Sequence, residues 1–86
     1  MRKLLPSDKD IDWYFSEMED HVREIRELYR ACDQAYHEKE TCREHARVEA
    51  YDLIVLTAEA FNMPEVLENV PDDIIARFNK KRAKKA

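Results

Sequence analysis

The chain has 86 residues, of which 40% are charged, with no glycine, three prolines and a net charge of -4. That length makes one domain, residues 1–86, and a chain so short buries only about 60–65% of its surface, so a partner subunit would help it. No apolar run approaches the roughly 18 residues of a membrane span, the first residues carry no signal-peptide pattern, and no glycine loop is available to cradle a phosphate. A cytoplasmic protein is expected, with Cys32 and Cys42 as reduced thiols rather than a disulfide framework.

The missing glycine disfavours tight β-hairpins, so the chain reads as all-α. Residues 1–7 form an extended arm, and Ser7 or Asp8 can cap the first helix, with Asp10 and Asp12 in its first turn. Ile11, Phe15, Met18, Val22, Ile25, Tyr29, Cys32 and Tyr36 then recur at alternating spacings of four and three. This heptad seam predicts one long helix from Asp8 to Glu38. Such a helix would be about 45 Å long, whereas a globule of this size is only about 30 Å across. Either the helix breaks or it projects and packs against another subunit, and the second is the expectation.

His37 to Glu40 interrupts the pattern. Thr41 with Glu44 fits a capping box for a second helix over residues 42–62, whose uncharged run Leu53 to Ala58 predicts near-complete burial. Residues 65–69 form a short helical piece. Pro71, Asp72 and Asp73 open a last helix over residues 71–82, with Ile74, Ile75 and Phe78 inward. The architecture expected is a long helix packed on a buried second helix plus one or two short ones, in an oligomeric helical bundle.

Charge is distributed unevenly. Residues 1–76 hold all 19 acids and nine bases, and residues 77–86 hold six bases and no acid. The basic tail suits either contact with an anion or a frayed, solubilising helix end.

The acids carry the chemistry. Glu49 and Asp52, at i and i+3, stand at the mouth of the apolar run, near enough on one helix face to share a ligand. Glu24 and Glu27 lie off the heptad seam with Leu28 and Ala31 beside them, on a face that mixes acid with small apolar groups. The same spacing at Glu17/Asp20 and Glu65/Glu68 shows how often such pairs are only solvated surface. Four carboxylates from two helices would suit a hard cation, Mg²⁺ above all, and thereby hydrolysis of a phosphate ester or phosphoanhydride.

In order, Glu24-x-x-Glu27-Leu28-x-x-Ala31 and then Glu49-x-x-Asp52-Leu53-Ile54, followed by the hinge Asn62-Met63-Pro64, resemble the signature of the MazG-like all-α nucleoside triphosphate pyrophosphohydrolases. The resemblance spans about residues 20–80. It implies that Glu24, Glu27, Glu49 and Asp52 coordinate Mg²⁺, or Mn²⁺, for hydrolysis of a nucleoside triphosphate to the monophosphate and pyrophosphate. It further implies a homo-oligomer, dimer or tetramer, and makes Lys80, Lys81 and Arg82 candidates for binding the substrate's phosphates.

Other constellations are weaker. Cys32, His37, Cys42 and His45 suggest zinc, but on a continuous helix they do not converge; they could only if the chain folds back near Lys39. His21 flanks the acidic face and could reach a phosphate. Trp13 and Tyr14 lie off the seam as a subunit contact or a base-stacking platform. The competing function is a non-enzymatic helical regulator or inhibitor of the kind mobile elements encode, which binds a protein through its acidic and heptad faces. Nucleic-acid binding through the tail is the least supported reading, and no membrane is implied.

Overall fold

A computed structural model describes residues 4–85. The first three residues of the expected arm and the last residue of the basic tail lie outside it. The order of elements is α1 (Ile11–Arg30), β1 (Ala35–His37), β2 (Glu40–Thr41), α2 (Cys42–Ala60), α3 (Pro64–Leu67) and α4 (Asp72–Lys85). Helix α1 begins where the Asp10 carboxylate accepts a 2.9 Å hydrogen bond from the Trp13 backbone N–H, satisfying one of the donors that a first turn leaves open.

The first helix ends at Arg30, not at Glu38. Cys32 takes the left-handed conformation at φ 55°, and its N–H bonds the Tyr29 carbonyl at 3.3 Å, a reversal that ends the helix. Arg43 fixes the reversal from outside: its guanidinium donates to the Tyr29 carbonyl and the Cys32 sulfur and lies 4.1 Å from the Tyr29 ring centre. Cys32 and Tyr36 thus continue the heptad spacing without continuing the helix. At 20 residues α1 is about 30 Å long and fits within the molecule's 35 Å long axis, so its length gives no reason for it to project.

Between the helices the chain makes a short antiparallel hairpin, with Ala35 opposite Thr41 and His37 opposite Glu40, and the rest of the architecture is helical as expected. The turn at Glu38-Lys39 needs no glycine, because among the described residues only Cys32 and Asn62 have positive φ. Turns with negative φ match the twist of paired strands poorly. That is why the ladder stops after two or three residues.

Thr41 and Glu44 form the expected capping box, each side chain bonded to the other's backbone N–H, and α2 starts there. Its far end closes in a Schellman motif around Asn62, at φ 54°, with Met63 N–H on the Ala58 carbonyl and Asn62 N–H on the Glu59 carbonyl.

Tyr14, Val55, Leu56, Val70, Ile74, Ile75 and Phe78 form the core where α1, α2 and α4 meet. The inward residues of α4 are those expected, but the helix runs on to Lys85, so the basic tail is helical rather than frayed. Helix α2 is buried on one side only. Ile54 and Phe61 stay exposed, because no described element covers that flank. Along α1 the less exposed stripe is Tyr14, Met18, His21, Ile25 and Leu28, while the seam residues Ile11, Phe15, Val22 and Tyr29 face outward, Tyr29 with 57% of its surface accessible. Among the described residues no helix is long and apolar enough to cross a membrane.

Candidate functional site

Glu49 and Asp52 sit one turn apart on α2 and are 6% and 1% exposed, although the sequence around them is rich in acids that remain solvated. Carboxylates this deep require partners. Arg77 of α4 supplies both: its Nη2 donates to Glu49 Oε1 at 3.1 Å and its Nη1 to Asp52 Oδ2 at 3.0 Å. Two histidines flank Glu49, with His45 Nε2 3.3 Å from Oε1 and His21 Nε2 3.4 Å from Oε2. His21 is held from behind, since its Nδ1 lies 2.8 Å from the Glu17 carbonyl, an acceptor that requires the proton there. Lys81 Nζ lies 3.8 Å from Asp52 Oδ2. Asp52 Oδ1 is buried with no hydrogen-bond partner among the described residues.

Burial raises the pKa of Asp52 above its ordinary 3.8 even though Arg77 pulls the other way, and the neighbouring Glu49 charge adds to the rise. For Arg77, burial works against the cation, but Asp52 and Glu49 outweigh it and hold the guanidinium more firmly charged than usual.

Two cavities adjoin the acid pair, one bordered by Glu49 and the other by Asp52. The first, a cleft of about 340 Å³, is bordered by Glu49, His45 and Tyr36 together with Glu24, Glu27, Leu28 and Ala31 of the α1 region. The second, a cavity of about 130 Å³, is lined by Asp52, His21, Trp13, Phe78, Lys81 and Arg82 among others. The four acids singled out in the sequence therefore share a neighbourhood without forming one tight cage. Glu24 and Glu27 are exposed on the rim of the first cleft. The ligand atoms that approach within 4.8 Å of one another come instead from His21, Glu49 and Asp52.

Of the three basic candidates, Lys81 and Arg82 line the Asp52 cavity and the exposed Lys80 does not. Arg82 is committed to the protein: both arms of its guanidinium bond Glu59, and the group lies 4.8 Å from the Phe78 ring centre. Arg77, the principal partner of the acid pair, was not singled out from the sequence. Its signal was present, since Ile74, Arg77, Phe78 and Lys81 at i, i+3, i+4 and i+7 share one face of α4.

Chemically, the site can close on itself as an internal ion pair or hold a divalent cation through Glu49 and Asp52. The unpartnered Asp52 oxygen and the oxygen donors are compatible with a hard ion. Comparison with protein-family models, with curated proteins and with solved structures found no match.

Proposed function

We propose that the chain is a Mg²⁺-dependent nucleoside triphosphate pyrophosphohydrolase of the MazG-like kind, acting as a homo-oligomer. The observation that carries this reading is the position of Glu49, a buried carboxylate that borders the cleft holding Glu24 and Glu27 while its i+3 neighbour Asp52 faces a second cavity with an unpartnered oxygen. Glu49 and Asp52 would hold the ion, with Glu24 and Glu27 on the open side of the cleft. Mg²⁺ or Mn²⁺, when bound, neutralises phosphate charge and activates water. Lys81 supplies positive charge beside Asp52, and Trp13 lines the same cavity as a candidate stacking partner for a base. Arg77 now neutralises the acid pair, so a cation must compete with it or join it. Such an enzyme works in the cytoplasm, where Cys32 and Cys42, both free, stay reduced.

A second reading is a non-enzymatic helical regulator or inhibitor that binds a protein partner. It is favoured by Arg77, which already satisfies most of the acid pair, and by Phe15, Val22 and Tyr29, which leave an apolar stripe exposed on α1.

Isothermal titration of Mg²⁺ and Mn²⁺ into the wild type and a Glu49→Gln/Asp52→Asn variant separates the two. Binding that disappears in the variant, with pyrophosphate released from a nucleoside triphosphate by the wild type alone, supports the enzyme. No binding, with a nucleotide analogue present as well, sinks it.

A further inference from the structure

The chain does fold back at Lys39, and the reversal assembles a set of ligands that the linear spacing of Cys32, His37, Cys42 and His45 did not contain. His37 and Glu40 face each other across the hairpin, and His45 lies on the first turns of α2, directly after the capping box that fixes Thr41. One ligand atom from each of these three residues lies within 4.8 Å of the other two. Neither cysteine belongs to the group. Cys32 accepts from Arg43, and Cys42 is a buried thiol.

The two contacts of His45 suit either an imidazolium that donates from both nitrogens or a metal ligand. Its Nδ1 lies 2.7 Å from Glu40 Oε1 and its Nε2 lies 3.3 Å from Glu49 Oε1, so both ring nitrogens face carboxylate oxygens. A neutral imidazole has one proton for those two acceptors. A second proton on the ring meets both acceptors; a metal at Nδ1 meets them in another way, with Glu40 drawn back, Nε2–H donating to Glu49, and the Nδ1 lone pair and Glu40 both serving as ligands. A metal-bound histidine ordinarily has its second nitrogen tied to a carboxylate in this way. Tyr36 fixes the ring plane by stacking on His45 at 3.8 Å and 15°.

Within the group, Glu40 Oε1 and His45 Nδ1 are in direct contact at 2.7 Å, which a bound cation would open. The neighbouring group of His21, Glu49 and Asp52 is bridged by Arg77, whereas among the described residues no Lys or Arg pairs with Glu40. The hairpin also needs a fastening, because every residue of β1 is exposed and so short a ladder is marginal in water.

We infer that His37, Glu40 and His45 form a binding site for a borderline d-block cation, Zn²⁺ foremost, with one coordination position left open. Two imidazoles and a carboxylate suit Zn²⁺ far better than Mg²⁺. Ligands around a tetrahedral zinc stand roughly 3.3 Å apart, so Glu40 would draw back from its 2.7 Å contact with His45 and the exposed His37, now within 4.8 Å of both, would adjust to match. The site shares no ligand with the proposed Mg²⁺ centre and stands without it. It adjoins that centre through the His45–Glu49 contact and through the cleft that His45 shares with Glu24 and Glu27.

The test uses untagged, chelator-treated protein, titrated calorimetrically with ZnCl₂ and, for a spectroscopic signature, with CoCl₂. One equivalent of Zn²⁺ should bind in the presence of excess Mg²⁺, and Co²⁺ should give the visible absorption of a low-coordinate nitrogen–oxygen site. His37→Ala and Glu40→Gln, both away from the core, should each weaken binding at least about tenfold with an unchanged circular dichroism spectrum, while Cys32→Ser binds as the wild type does. Absence of Zn²⁺ binding overturns the inference. So does binding that His37→Ala and Glu40→Gln leave intact, or that only Glu49→Gln/Asp52→Asn removes.

Discussion

Arg77 and Asp52, 25 residues apart, are joined by a 3.0 Å hydrogen bond that links α4 to the most deeply buried carboxylate of α2. The same guanidinium reaches Glu49 with its other arm. One side chain thereby compensates two buried negative charges and fixes the last helix over the site.

Removal of that guanidinium leaves both acids without their main partner. Breaking a fully buried ion pair costs about 3–5 kcal/mol. Arg77 is about a third exposed and Lys81 and His21 remain nearby, so Arg77→Ala should destabilise by roughly 2–3 kcal/mol, read from urea unfolding. Adding Asp52→Asn should recover part of the loss. A change too small to resolve would show that the link between α4 and α2 contributes nothing.

Under the proposed enzyme, Arg77 competes with the metal. Arg77→Ala, provided it folds, should bind Mg²⁺ more tightly than the wild type does, by calorimetry. Equal affinity would mean that the guanidinium and the cation occupy different places.

Asp52 also ties stability to pH. Its pKa is higher in the fold than in the unfolded chain, chiefly because burial disfavours the charged form. Between the ordinary value near 3.8 and that raised value, the folded state binds more protons than the unfolded one. Stability from this group is therefore greatest at the acid end of the window and falls as pH rises through it. In metal-free buffer, the unfolding free energy of Asp52→Asn should fall less, or rise more, than that of the wild type as pH rises above the ordinary aspartate value. Parallel curves would remove Asp52 from the balance.

The capping box has a simpler outcome. Thr41 and Glu44 satisfy two open N–H groups at the start of α2, so Thr41→Ala should cost about 1 kcal/mol, measured by thermal or urea unfolding. Because the same residue pairs with Ala35, amide exchange in the hairpin should quicken as well.

The exposed seam on α1 is open to test by mass. If a second copy covers Phe15, Val22 and Tyr29, light scattering will give more than the monomer mass, and Val22→Glu will reduce it toward the monomer while leaving the helix content unchanged. Val22 is 44% exposed in the single chain, so a glutamate there does not disturb the core. A wild type that stays monomeric at high concentration would exclude the homo-oligomer.

Local rules carried much of this architecture. Thr41 and Glu44 marked the start of α2, and the spacing of Ile74, Ile75 and Phe78 marked the inward face of α4, because caps and amphipathic faces depend on neighbours within a turn or two. The acid pair Glu49/Asp52 was legible for the same reason. The heptad spacing misled beyond Arg30, since periodicity reports which residues are apolar and not whether the backbone between them has turned left-handed at Cys32. A hairpin without glycine was equally hidden, because its turn draws on conformations that many residues adopt. What only tertiary structure decided is which of the many charges are buried and what they meet. Arg77 finds Glu49 and Asp52, and His37, Glu40 and His45 gather at one point, because α4 packs across α2 and the chain doubles back at Lys39. The first meeting arises from the packing of distant segments and the second from a local reversal of the backbone, and spacing along the chain does not name the partners in either.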